Sequence, residues 1–158
     1  MDVFHESQQS GRHPFVTCVG REHEPCRIRR AAFSYDDTYP GEALPQVTAE
    51  FRSDPAQSGV VLDRVIPDTG ADATVLPWSD CQQLQLDPSA GVPGLMGGVG
   101  SSAAATVAFP MWVYLDGRCH RCRLQTAFSG GDRILGRDVL NRIDVLFRGP
   151  TGEVMVAP

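Results

Sequence analysis

Lysine is absent from the 158 residues, so all fourteen basic side chains are arginine, and the net charge is −5. That balance argues against the broad phosphate-tracking surface that nucleic-acid binders carry, and no nucleic-acid partner is expected. The tightest basic clusters, RIRR at 27–30 and RCHRCR at 118–123, are short enough to read as solvated faces. Also missing is any apolar run near the roughly 20 residues that a bilayer crossing requires, so no membrane partner is expected either. The opening stretch MDVFHESQQSGRHPF has neither the basic start nor the continuous apolar segment of a secretory signal, which predicts a cytoplasmic location.

Cysteine is scarce and unevenly spaced. Its five positions, 18, 26, 81, 119 and 122, do not describe a disulfide framework. Cys119 and Cys122 form a C-x-x-C that, with His120, Cys18, His23 and Cys26, has the donor types of a zinc site. The surrounding WVYLDGRCHRCRLQTAF reads as two strands about Asp116-Gly117, however, and strand residues three apart point to opposite faces. Free thiols are expected, with no metal and no organic cofactor. His5, His13 and His23 lie in the extension and His120 reads as an exposed strand residue, so a triad hydrolase has no support.

What is present fits one domain with a core, since a chain of this length buries about two thirds of its unfolded surface. Hydrophobic residues make up 42% and charged residues 21%, as in ordinary globular proteins. Residues 1–40 hold no sustained period and read as an N-terminal extension, either flexible or a pro-segment; residues 41–158 form the domain. There PQVTAEF alternates, GVVLDRVI is a short apolar run, and further strand-like runs follow, each bounded by Pro, Gly, Asp or Ser. LPWSDCQQLQLD has room for a turn of helix, one short helix is expected near 137–142, and residues 143–157 read as a hairpin. The expectation is an all-β fold, a closed barrel or sandwich.

The stretch PDTGADATVLP, 67–77, carries the chemistry. A carboxylate on a tight turn after a strand becomes catalytic when a second carboxyl about 3 Å away shares its proton, one acting as acid while the other takes a proton from water. Gly70 allows a close turn whose N–H faces the carboxylate of Asp68, and Thr69 supplies a hydroxyl. A single aspartate is half of such a pair, and Asp-Thr-Gly occurs once.

DTGADATVLP, GLMGGVG and RILGRDVL resemble, in order and spacing, the catalytic turn, flap tip and helix entry of retropepsin-like (retroviral-type) aspartic proteases, over roughly residues 44–148. The resemblance implies a pepsin-like half assembled as a C2 homodimer, in which the missing acid is Asp68 of a second copy. It implies Asp68, Thr69 and Gly70 as catalytic residues, and Ala71, Asp72, Ala73, Val75, Met96, Gly97, Gly98, Val99, Gly100 and Ile134 as peptide-binding ones. It further implies a buried ion pair of Asp72 with Arg137, loss of which would unfold or monomerise the protein, and a subunit interface that includes the C-terminal hairpin.

Three positions depart from the pattern. Pro67 cannot donate to a ladder and predicts an early end to its strand. Ala73 lacks the second acid of some relatives, which points to apolar, undemanding peptide preference. Ala71 lacks a hydroxyl that would favour the ionised dyad, so activity is expected to extend from acid toward neutral pH rather than be confined below about pH 3.5. Competing readings are a catalytically weak peptide-binding module of the same fold, an adaptor of unrelated β fold, and a dinucleotide loop at Gly98-x-Gly100-x-x-Ala103 with Asp116 as its acid. The last needs a helix to follow, and the sequence there is β-rich.

Overall fold

The structure is a computed structural model that describes residues 31–98 and 102–157. Val99, Gly100, Cys18, His23, Cys26 and residues 1–30 of the extension lie outside the described residues. In chain order the elements are β1 (Ala31–Ser34), β2 (Val47–Arg52), β3 (Val60–Pro67), β4 (Val75–Pro77), α1 (Trp78–Gln83), β5 (Val92–Met96), β6 (Ala104–Leu115), β7 (Arg118–Ala127), β8 (Arg133–Leu135), α2 (Arg137–Leu140), β9 (Asp144–Arg148) and β10 (Glu153–Ala157).

Alternation builds β2, where Val47, Ala49 and Phe51 are buried and the residues between them look outward or lie half-buried. β3 cannot alternate strictly, because Leu62 and Val65, three apart, both face the core. A bulge absorbs the extra residue: the register against β2 shifts between Val47 and Ala49, and Arg64 takes a left-handed φ of 53°. Asp116 and Gly117, with φ of 51° and 74°, make the left-handed two-residue turn that joins β6 to β7.

The strands pair in the order β2-β3-β8-β4-β7-β6, and β2 pairs again with β6 through Glu50–Tyr114, Phe51–Val113 and Arg52–Trp112. Six strands therefore close a barrel, as the all-β expectation required, and β5 extends the sheet from the first half of β6. Phe51, Val65, Leu76, Met111, Val113, Leu124, Leu135 and Val139 fill it at 0% exposure. Each such side chain contributes roughly 1.5–3 kcal/mol over its exposed state. Pro67 does not end β3 early. It stays in the strand opposite Leu135, and the donor it lacks is replaced one residue on, where the Asp68 N–H reaches the Leu135 carbonyl at 3.0 Å.

Among the described residues there are two short α-helices. α1 forms where a turn of helix was expected, and α2 stops at Leu140 because the N–H of Arg142 reaches back three residues to Val139 instead of four. α1 is pinned by charge. Asp80 on it is 3% exposed, and Arg133 on β8 forks to both its oxygens at 2.7 and 2.9 Å, with a third nitrogen on the Asp63 carbonyl and carboxylate at 2.8 Å each. The Asp80 hydrogen bonds raise the Arg133 pKa further above its ordinary value.

A second sheet, ordered β1-β10-β9, lies beside the barrel. The expected hairpin is there as β9 and β10, and residues 31–34 of the extension add β1 to its other edge, pairing Phe33 with Val154. Among the described residues no helix is long and apolar enough to cross a membrane.

Candidate active site

β3 delivers the chain to Asp68, and a tight turn carries it on. The Ala71 N–H closes that turn on the Asp68 carbonyl at 3.2 Å, and the Gly70 N–H donates to Asp68 Oδ1 at 2.7 Å. A Cβ at 70 would sit 3.1 Å from Asp68 Oδ1, so a larger residue there would press the carboxylate out of place by a few tenths of an ångström. Asp68 is half-buried, and its carboxylate faces a cleft of about 620 Å³.

The loop that carries Asp68 is tied down from beneath. Thr74, fully buried, donates its hydroxyl to Asp138 Oδ1 at 2.8 Å and accepts from the Gly136 N–H at 3.3 Å, while the Arg123 N–H donates to Asp138 Oδ2 at 2.8 Å. The Arg137 N–H reaches the Ala71 carbonyl at 2.9 Å. α2 enters so closely that a Cβ at Gly136 would lie 2.3 Å from the Ala73 carbonyl carbon. One carboxylate, Asp138, thus joins the loop, β7 and α2, holding Asp68 on packed structure rather than on a free loop.

Across the cleft stand the end of β5 and the start of β6. The cleft is lined by Asp68, Gly70, Ala71, Asp72, Ala73 and Val75 on one side and by Leu95, Met96, Gly97, Gly98, Ser102 and Ala104 on the other, with Gln125 between. Two of the expected residues do not line it. Thr69 is exposed, with no partner for its hydroxyl among the described residues, and Ile134 sits in the ladder opposite Ile66 and Val75. Sequence reasoning missed Thr74, Leu95, Ser102, Ala104, Gln125 and Asp138. Thr74 and Asp138 lie inside the quoted motifs, but nothing local marks them as partners 64 residues apart.

Asp72 and Arg137 do pair, yet not as a buried ion pair: their side chains are 85% and 48% exposed. The stranded-charge cost expected for a buried pair does not apply, because water solvates whichever partner is left. Arg137→Ala is therefore expected to stay folded, with a stability change below about 1 kcal/mol by urea titration. Loss of the folded state would contradict this.

Cys119 is exposed and Cys122 buried, on opposite faces of β7, and among the described residues no three His, Cys, Asp or Glu side chains gather as a metal would need. The glycine-rich segment after β5 leads into strand β6 rather than the helix a dinucleotide loop opens.

A solved structure of EIAV protease resembles this chain. That protein, in complex with the inhibitor HBY-793, is 30% identical, with 66% of this chain and 91% of that chain covered and a TM-score of 0.49. No family model matches, and none of the curated proteins does.

Proposed function

We propose that the protein is an aspartic endopeptidase of retropepsin-like type, active as a homodimer in which Asp68 of two identical chains forms the dyad. One observation carries this reading: the Asp68 carboxylate, held by the Gly70 N–H at 2.7 Å, borders a cleft of about 620 Å³ that β5 also lines. Among the described residues no second carboxyl is hydrogen-bonded to Asp68, and a two-fold axis at the turn supplies one. With one proton shared between the two, the charged carboxylate takes a proton from water as its oxygen attacks the peptide carbonyl. The protonated acid gives its proton to the carbonyl oxygen, which makes the tetrahedral diol; the carboxyl that took the water's proton then passes it to the leaving nitrogen while a diol hydroxyl returns its proton to the other carboxylate, and the C–N bond breaks.

The β5–β6 segment acts as the flap that excludes water, and it is anchored rather than loose at its base. The Thr106 hydroxyl donates to the Thr126 carbonyl at 2.8 Å and accepts from the Thr126 N–H at 3.1 Å, while the Val107 N–H donates to Thr126 Oγ1 at 3.2 Å.

A pepstatin-type peptide, whose hydroxyl mimics the diol, tests the proposal. At about 100-fold excess over a micromolar Kd it is expected to raise Tm by roughly 5–10 °C, measured by differential scanning fluorimetry. No shift and no inhibition of peptide cleavage would count against a working dyad.

A further inference from the structure

Nine arginines fall among the described residues. Five of them, Arg52, Arg64, Arg133, Arg137 and Arg148, are ion-paired. The other four, Arg118, Arg121, Arg123 and Arg142, have no acid partner among the described residues, and all four lie on β7 or just beyond α2. Among the described residues, unpaired arginines thus gather on β7 and the segment that follows α2.

Three of the four rim a groove of about 580 Å³. Arg121, Arg123 and Arg142 stand over an apolar floor of Val92, Phe109 and Pro110, with Val92 61% exposed. Asp138 also borders the groove, but its two oxygens already accept from Thr74 and the Arg123 N–H. The groove adjoins the cleft along two shared strands. Arg123 and the cleft-lining Gln125 are two residues apart on β7, about 6.8 Å, and Val92 begins the strand β5 whose far end lines the cleft.

We propose that this groove docks an acidic, extended segment of the polypeptide that enters the cleft, its carboxylates meeting Arg121, Arg123 and Arg142 and an apolar side chain covering Val92 and Pro110. The inference rests on reading the cleft as a peptide site. Arginine forks match carboxylates two bonds at a time, and the apolar floor suits an aliphatic side chain between two acids. A nucleic acid fits less well, since the patch is short and the rest of the protein, at −5 overall, repels a long polyanion.

The test uses the full chain and a fluorescein-labelled peptide of Asp and Glu residues interspersed with Leu, followed by fluorescence anisotropy beside its Asn and Gln counterpart. The acidic peptide is expected to bind wild type and Asp68→Asn alike, more weakly at raised salt, and about tenfold or more weakly to an Arg121→Gln, Arg123→Gln double variant. Both side chains are exposed and make no hydrogen bond among the described residues, so an unchanged Tm is expected for that variant. Equal binding of the amide peptide, or undiminished binding by the double variant, overturns the proposal. So does tighter binding of a phosphopeptide or single-stranded oligonucleotide on this face, or self-association of the chain that the double variant abolishes. Binding of the acidic peptide without any Asp68-dependent hydrolysis leaves the groove standing and removes the peptidase reading; hydrolysis without that binding does the reverse.

Discussion

Replacing Asp68 with Asn is expected to lower peptide hydrolysis by about 10⁴-fold or more while the fold survives. The two side chains have nearly the same shape, and the amide oxygen still accepts from the Gly70 N–H that holds Asp68 Oδ1 at 2.7 Å. What disappears is the negative charge that takes the proton from water, and with it the shared proton between the two copies. A peptide-library digest beside circular dichroism checks both halves. Residual activity within tenfold of wild type in a folded variant would remove Asp68 from the chemistry.

Arg133→Ala is expected to cost about 3–5 kcal/mol of stability, the largest effect of any single substitution considered. Asp80 is 3% exposed and receives two hydrogen bonds from that guanidinium, at 2.7 and 2.9 Å; without them a buried carboxylate has lost its counter-charge. The same arginine ties β8 to Asp63 on β3, so the loss spreads to the strand that delivers Asp68. Urea denaturation measures it. A change below about 1 kcal/mol would mean that Asp80 finds water or another donor once Arg133 is gone. Arg137→Ala, at an exposed pair, is the contrasting control.

Local chemistry made much of this legible. Asp116-Gly117 announced its turn because both positions adopt positive φ, and alternation in PQVTAEF announced β2. The C-x-x-C was correctly split across two faces by strand parity alone. Long-range pairings were not legible, since nothing in Glu50–Arg52 names Trp112–Tyr114 as the strand that closes the barrel. The bulge at Arg64 was hidden for a related reason: a residue with no intrinsic liking for left-handed φ adopts it so that Leu62 and Val65 can both face inward. Ion pairs showed the same limit. Asp72 and Arg137 were matched by resemblance, but their exposure depends on packing that no motif encodes, and Asp80, the buried acid, lies in no motif and 53 residues from Arg133, which opens RILGRDVL.

Within the site, the sequence pointed to the loop that bears the acid better than to the structure beneath it. Asp138 and Thr74 are needed because a turn holding a carboxylate at a cleft must itself be held, and their partners come from three separate elements. Ile134 was expected in the cleft; it does not border the cleft of the single chain, though it stands directly opposite the cleft-lining Val75 on the neighbouring strand.

Co-refolding wild-type and Asp68→Asn chains in varied ratio, at fixed total concentration, and measuring peptide cleavage tests the two-copy dyad most directly. If each site needs Asp68 from both chains, activity falls as the square of the wild-type fraction, to about one quarter in an equal mixture. A linear fall, to about one half, would mean that a single Asp68 suffices and would contradict the account.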